Sequence, residues 1–201
     1  MQKKLALITG GNGYLGTAIT KELVSRGWEV ASLSRSSKQF PCDVTDAVSV
    51  QNAVQKAVRA FGPICAAIHA AAAPLERIAK DEATADSIEK EKSVAVTGAK
   101  NLFEAIAPHI LTCGVFIAIT SDATKSAGEL KMGGYIDAKK EMEAFVHGLH
   151  APFRTELCSI GFLPGGLNSD LPEQVRSFFA AKSKPLEQVA TEIADLCGQQ
   201  R

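Results

Sequence analysis

Aromatic residues and long apolar runs are both scarce in this chain of 201 residues. Phe, Trp and Tyr together make up 6% of the residues. The longest apolar run, residues 64–75, is interrupted by His69 and Pro74 and is shorter than the roughly 20 residues that span a bilayer. The apolar stretch after Lys3 and Lys4 is too short for the core of a signal peptide. We therefore expect a cytoplasmic protein that does not bind a membrane.

Neither an excess of charge nor a cysteine pattern indicates a partner. The 22 basic residues balance the 22 acidic ones, so no overall field favours nucleic acid or an anionic membrane. The five cysteines are far apart and form no Cys-x-x-Cys pair, which is typical of reduced thiols in a cytosolic protein. We expect neither a bound metal nor a nucleic-acid partner, and any anion site must be local.

Glycine is concentrated where an early strand meets a helix. The stretch Thr9 to Gly16 follows the apolar residues 5–8, and Gly11, Gly13 and Gly16 match the pattern G-x-G-x-x-G at that turn. Glycines let the backbone approach a pyrophosphate, and the start of the following helix favours its negative charge. An ordinary tight turn is the alternative. The residues expected at the phosphates are Thr9, Gly10, Gly11, Asn12, Gly13, Tyr14, Leu15 and Gly16.

A second strand over residues 28–33 ends at Ser34, Arg35 and Ser36. In a dinucleotide-binding fold, this position meets the adenosine ribose. An acidic residue there accepts hydrogen bonds from a free 2′-hydroxyl, whereas an arginine flanked by hydroxyls suits a 2′-phosphate. The pattern favours NADP over NAD as the cofactor, unless Arg35 is merely a solvated loop residue.

Asp43 has two interpretations. Either Asp43, Thr45 or Asp46 caps the helix that follows, by accepting a hydrogen bond from a free backbone N–H, or the Asp43 carboxylate faces the adenine amino group. The pattern alone favours the cap.

Apolar runs alternate with helical patterns along the rest of the chain. Residues 64–73, 115–119 and 157–163 are typical of strands buried on both faces of a parallel sheet. A short surface helix is expected within residues 76–92, and a separate, longer helix over residues 94–108. The length fits one domain. The fold class is therefore α/β, a doubly wound parallel (Rossmann) sheet of about six strands.

Ser121 follows the strand at residues 115–119, Tyr135 comes fourteen residues after Ser121, and Lys139 comes four residues after Tyr135. Tyrosine and lysine four residues apart lie on one face of a helix, where the ammonium stabilises a phenolate and lowers the tyrosine pKa from about 10. Such a pair transfers protons. The spacing also arises by chance, so its position after a buried strand gives it weight.

These residues resemble the short-chain dehydrogenase/reductase family over nearly the whole chain. The similar segments, in the order of the family, are Thr9-Gly10 with Gly13 and Gly16, Asp43-Val44, His69 to Ala72, the set Ser121, Tyr135 and Lys139, and Pro164-Gly165. The resemblance implies one NAD(P)-binding domain over residues 1–201 that includes the catalytic residues.

The resemblance also implies roles for these residues. Tyr135 would be the general acid or base at the substrate oxygen, Ser121 would hydrogen-bond that oxygen, and Lys139 would hold the nicotinamide ribose. The other residues implied at the cofactor are Asp43 and Val44, then Ala70, Ala71 and Ala72, and finally Pro164, Gly165, Leu167 and Ser169. A homodimer is expected as well, through helices four and five, which are the helix over residues 94–108 and the helix that contains Tyr135 and Lys139.

Three features depart from the family pattern. Gly10, Gly13 and Gly16 have the spacing of its extended, epimerase-like branch, whereas the length resembles its shorter reductases. Ala95 stands where the family has an asparagine that supports a proton-relay water. The usual seventh strand at the C-terminus has no counterpart.

We predict an NADPH-dependent oxidoreductase that interconverts a carbonyl and an alcohol with Tyr135 as the acid or base. The alternative is an NADP-binding regulatory or assembly protein with little catalysis, and an extended-branch enzyme acting on a nucleotide sugar is less favoured.

Overall fold

A computed structural model of the chain describes residues 3–73, 84–126, 133–160 and 184–199. Its strands are all parallel and form one sheet in the order β2-β1-β3-β4-β5. The strands are β1 Leu5–Thr9, β2 Glu29–Leu33, β3 Ile64–His69, β4 Ile110–Ser121 and β5 Arg154–Ile160. The helices are α1 Tyr14–Ser25, α2 Ala47–Phe61, α3 Ala85–Lys92, α4 Gly98–Ile106, α5 Gly133–His147 and α6 Leu186–Gly198. This topology confirms the predicted doubly wound α/β fold.

The two faces of the sheet explain why its strands are almost continuously apolar. Every residue of β1 is buried. Leu5 and Leu7 pack on one face, whereas Ala6 and Ile8 pack on the other. Because successive side chains of a strand point in opposite directions, a sheet covered on both sides needs apolar residues at every position.

Helices cover both faces. α1 and α6 supply the buried residues Ile19, Leu23, Val189 and Ile193 to one layer. The second layer is formed by α2, α4 and α5, whose buried residues include Val54, Leu102 and Met142. Among the described residues, no helix is long and apolar enough to cross a membrane.

The number and ends of the strands differ from the expected ones. The described residues form five strands and one isolated bridge between Ser34 and Pro41, in place of about six strands. Proline has no backbone N–H, which limits pairing at that point. β3 ends at His69 rather than Ala73, and β5 is described only to Ile160 because residues 161–183 lie outside the described part.

Both helices predicted between residues 76 and 108 are present, as α3 and α4, but no loop separates them. α3 continues into a π-helical turn, Ser93–Thr97, and then directly into α4. The Gly98 N–H donates to the Ser93 carbonyl, five residues earlier, so the turn holds one more residue than an α-helical turn. The apolar periodicity hides this continuity because the extra residue shifts the buried face and because Glu91, although charged, is buried.

Candidate active site

The carboxyl ends of the strands open into a cavity of about 1040 Å³. Most of the residues that the sequence predicts at the cofactor and the reacting groups line it: Gly10, Asn12, Gly13, Tyr14, Leu15, Gly16, Ser34, Arg35, Ser36, Asp43, Val44, Ala70, Ala71, Ala72, Ser121, Tyr135 and Lys139. Thr9 and Gly11 are absent from this lining. Pro164, Gly165, Leu167 and Ser169 lie outside the described residues. Within the described ranges, no three His, Cys, Asp or Glu side chains come together to hold a metal ion.

The glycine turn is too crowded for side chains at three of its positions. Gly10 has φ +69°, and a Cβ there would lie 2.8 Å from the Ala71 Cα. A Cβ on Gly16 would lie 2.2 Å from the Gly10 carbonyl oxygen. At Gly11 the clash is with the Ser32 side chain, at 2.1 Å from Oγ. The turn therefore presents bare backbone to the cavity, as close approach to a phosphate requires.

The start of α1 adds backbone donors to this turn. Gly13 is the N-cap residue, and no side chain caps the helix. The first hydrogen bond of the helix runs from the Thr17 N–H to the Gly13 carbonyl. The N–H groups of the first turn therefore have no acceptor within the helix, and they carry the positive end of its dipole. This end of the cavity suits the phosphates of a dinucleotide.

The end of β2 presents hydroxyls and a cation to the same cavity. Asn12 donates to Ser36 Oγ at 3.1 Å and accepts from Ser32 Oγ at 2.7 Å, which ties the glycine turn to β2. Arg35 is exposed beside them. Its charge contributes to lowering the pKa of Asp43, after the larger effect of the hydrogen bonds from Thr45. The guanidinium is therefore near Asp43 at the mouth of the cavity.

Asp46, and not Asp43, caps α2. The Asp46 carboxylate accepts a hydrogen bond from the Val48 N–H at 2.9 Å. Asp43 Oδ1 accepts from the Thr45 N–H at 2.9 Å and from the Thr45 hydroxyl at 2.8 Å, and Asp43 lines the cavity. Asp43 is thus oriented by its own turn at the end of the cavity where the adenine is expected.

His69 is a buried structural residue at the end of β3. Its Nδ1 lies 2.9 Å from Thr9 Oγ1, which links β1 to β3 at the edge of the cavity. Burial, followed by the positive charge of Lys139, lowers the pKa of His69 to about 3. A Cβ on Gly98 would lie 3.0 Å from His69 Cε1, so the ring also fills the space below α4. His69 is therefore neutral at ordinary pH.

The low pKa of His69 predicts acid-sensitive stability. Above about pH 6.5 the ring is neutral in both states, but below it the unfolded chain binds a proton that the folded chain binds only near pH 3. The free energy of unfolding should therefore decrease as the pH is lowered from about 6.5 to about 3. In His69→Asn the fall should be shallower, as measured by denaturant unfolding at several pH values. The exposed His150→Asn is the control. Equal pH dependence in His69→Asn and wild type would contradict this role.

Ser121, Tyr135 and Lys139 converge where β4 ends. The Ser121 hydroxyl is near enough to Tyr135 to favour the ionised form of its phenol. The Lys139 ammonium donates to the Ile119 carbonyl at 3.1 Å and lies 5.7 Å from the centre of the Tyr135 ring. Ser121 and Lys139 are buried, and all three side chains line the cavity. The fold therefore brings together three groups that are separated in sequence.

The protonation of Tyr135 differs from the expectation. Burial raises its pKa to about 12, the nearby Ser121 hydroxyl opposes this rise, and the charge of Glu91 adds to it. The lowering expected from Lys139 does not outweigh burial, although the ammonium lies over the Tyr135 ring. Tyr135 is therefore a phenol, which is the form that donates a proton.

Glu143 supports this cluster, although the sequence analysis did not single it out. It accepts hydrogen bonds from the hydroxyls of Thr120 and Thr124, the latter at 3.1 Å, and so ties α5 to the end of β4. It also raises the pKa of Lys139, against the larger lowering by burial. Glu143 follows Lys139 by four residues, and this spacing indicates from the sequence that both side chains lie on the same face of α5.

Comparisons with known proteins agree with this architecture. A model of the short chain dehydrogenase family matches residues 4–179. The hydroxynaphthalene reductase arp2 of Aspergillus fumigatus is 24% identical over 213 aligned positions, covering 95% of this chain and 77% of the reductase. A short chain dehydrogenase from Burkholderia cenocepacia, solved with NADP, has a TM-score of 0.82 at 21% identity, covering 98% of this chain and 92% of its own. An NADH-dependent reductase solved with NAD has a TM-score of 0.77 at 16% identity, and the match covers 96% of this chain and 88% of that reductase.

The family match covers most of the 201 residues and includes the glycine turn and the cluster at the end of β4. The chain therefore belongs to the short-chain dehydrogenase/reductase family and is an NAD(P)-dependent oxidoreductase.

Proposed function

We propose that the protein is an NADPH-dependent oxidoreductase that interconverts a carbonyl and an alcohol, with Tyr135 as the general acid or base. The observation that carries this proposal is the convergence of Ser121, Tyr135 and Lys139 on the cavity at the end of β4. Tyr135 is the proton donor, the Ser121 hydroxyl orients it, and the Lys139 ammonium stabilises its conjugate base.

The described residues fit a dinucleotide. Gly10 and Gly16 pack so closely against neighbouring backbone that the turn is compact and carries no side chain there, and the first turn of α1 offers free N–H groups. A cavity of about 1040 Å³ is large enough for a cofactor together with a small substrate. The turn at residues 10–16 would hold the phosphates and Lys139 the ribose next to the nicotinamide. When bound, the cofactor supplies the hydride.

The residues of the chain supply the proton and the orientation. Tyr135 donates its hydroxyl proton to the oxygen of a carbonyl substrate as that oxygen gains negative charge. Ser121 donates a hydrogen bond to the same oxygen and thereby orients the substrate. The Lys139 ammonium, held by the Ile119 carbonyl, stabilises the phenolate that remains on Tyr135. In alcohol oxidation the phenolate takes the proton back.

The preference for NADP depends on Arg35. The guanidinium lies at the cavity mouth next to Ser34 and Ser36, without an acidic residue at the end of β2. Wild type should bind NADP more tightly than NAD, and Arg35→Ala should weaken NADP binding by about tenfold, as charge-assisted hydrogen bonds to a phosphate are lost. NAD affinity should change little. Fluorescence titration of the two reduced cofactors measures both effects.

Lys38→Ala is the matched control for this experiment. Lys38 is exposed and cationic and lies three residues after Arg35, but it does not line the cavity. A general electrostatic effect would weaken NADP binding equally in both variants. Tighter binding of NAD than of NADP by wild type would overturn the cofactor proposal.

The alternative function is an NADP-binding regulatory or assembly protein with little turnover. Ala95 favours it, because this buried methyl group cannot hydrogen-bond a proton-relay water. This alternative predicts tight NADP binding without turnover on a broad panel of carbonyls. The panel should include bicyclic aromatic ketones, as suggested by the name of the Aspergillus relative. One robust substrate would exclude it.

Three further expectations are part of this proposal. Residues 1–201 would form one nucleotide-binding domain, two copies would associate through α4 and α5, and the enzyme would act in the cytoplasm. Light scattering at several concentrations tests the association, and a monomer throughout would exclude it.

A further inference from the structure

Glu91 is a buried charged residue that has no role in the proposed set of Ser121, Tyr135 and Lys139. Its exposed fraction is 1%, and it lies in the last turn of α3, directly before the π turn. Neither carboxylate oxygen has a hydrogen-bond partner among the described residues. A buried carboxylate without partners is costly unless a nearby charge compensates it. Its surroundings must therefore supply that charge.

Two contacts between α3 and α5 locate Glu91 over the catalytic turns of α5. Ile88 packs against Gly134, where a Cβ would lie 2.7 Å from Ile88 Cγ1. One turn further along α3, the Lys92 ammonium pairs with the Glu141 carboxylate at 3.5 Å on the surface. Between these contacts, the segment of α5 that faces Glu91 contains Tyr135 and Lys139. Glu91 is absent from the lining of the cavity, so it approaches this pair from behind.

Within the described ranges, the titratable groups that interact with Glu91 are Lys139 and Tyr135, both on α5. Burial raises the pKa of Glu91, whereas the charge of Lys139 opposes this rise.

Glu91 acts on its neighbours in return. It raises the pKa of Lys139 against burial, as Glu143 also does. It raises the pKa of Tyr135 in addition to burial. Both effects favour the protonated form.

We propose that Glu91 is a positioning residue whose carboxylate keeps Lys139 charged and Tyr135 protonated, so that the site is prepared to donate a proton to a carbonyl oxygen. A negative charge behind the pair attracts the ammonium and opposes a second negative charge on the phenolate. The inference rests on the proposed function, because it assigns Glu91 a role only through Tyr135. The inference also gives the direction of the reaction that the site favours. Carbonyl reduction needs a phenol that can donate its proton.

The protonation of Tyr135 can be measured without turnover. The chain has two tyrosines, so Tyr135 is the sole tyrosine in a Tyr14→Phe background. The near-ultraviolet absorbance of tyrosinate then reports Tyr135 alone. At the same alkaline pH, Glu91→Gln in this background should raise the ratio of phenolate to phenol by roughly threefold or more. An unchanged or lower ratio would overturn the proposal.

Two controls make this titration interpretable. Glu104→Gln removes the same charge from an exposed position on α4 and should leave the ratio unchanged. Glu91→Met offers an apolar side chain of similar length in case the buried amide of glutamine disturbs packing. Circular dichroism at each pH restricts the comparison to folded protein.

The pH profile of alcohol oxidation provides the second readout. The rise in kcat/KM that reports deprotonation of Tyr135 should move to lower pH in Glu91→Gln. Loss of activity at every pH without such a shift would indicate a packing role and overturn the proposal. If Tyr135→Phe kept its activity, the proposed function would fail, yet the tyrosinate titration would still judge Glu91 independently.

Discussion

The Tyr135→Phe variant is expected to lose turnover by about 10²- to 10⁴-fold and to bind NADPH nearly as tightly as wild type. The substitution removes one oxygen atom and keeps the ring. In the cluster at the end of β4, that oxygen lies near Ser121 and is the proposed proton donor. The burial that raises the Tyr135 pKa to about 12 means that the wild-type hydroxyl holds this proton throughout the neutral range.

Two measurements separate the loss of the proton donor from damage to the site. Fluorescence titration of NADPH shows whether the cofactor still binds, and single-turnover kinetics show whether chemistry is the slow step. Retained turnover in Tyr135→Phe would mean that another group donates the proton. A parallel loss of cofactor affinity would mean that the hydroxyl supports binding rather than chemistry.

The Gly16→Ala variant is expected to lose cofactor affinity by about 10- to 100-fold and about 1–3 kcal/mol in the free energy of unfolding. The added methyl group would lie 2.2 Å from the Gly10 carbonyl oxygen and 2.6 Å from the Gly11 Cα. Both are backbone atoms, so no side chain can rotate away to relieve the clash. Either the start of α1 or the glycine turn must move, and these two segments form the phosphate end of the cavity.

Gly198→Ala is the matched control for this prediction. A Cβ at Gly198 would have no atom within 4 Å, and the residue lies at the end of α6, away from the cavity. Cofactor titration and denaturant unfolding of both variants compare the same chemical change in crowded and open surroundings. Wild-type affinity in Gly16→Ala would show that the turn tolerates a side chain and that its crowding has no functional meaning.

The sheet was largely predictable from the sequence because of its burial on both faces. Residues in β3 and the second half of β4 read as continuous apolar runs, and both became buried parallel strands. The ends of the elements were less predictable. The chain from residue 70 to 73 is apolar like β3 but leaves the sheet, because its four alanines are weak strand formers, a difference that an apolar pattern does not show.

The helix that contains Glu91 shows a different limit. Its last turn reads as polar and solvated, since the pattern cannot distinguish a buried carboxylate from an exposed one. The packing of α3 on α5, which includes Ile88 against Gly134 and Lys92 beside Glu141, brings this helix over α5, and Glu91 is buried there. The alternatives for the cap of α2 were also left open by the pattern, and the local geometry assigned the cap to Asp46.

The sequence by itself determined the family, the doubly wound sheet and the order of the glycine turn, Arg35 and the residues Ser121, Tyr135 and Lys139. These follow from local rules, because strand burial, glycine spacing and helical periodicity are written along the chain. Only the tertiary structure decided the protonation of Tyr135, the support from Glu143 and the burial of Glu91. These depend on desolvation and on charges from distant segments, which are set when α3, α5 and β4 pack together.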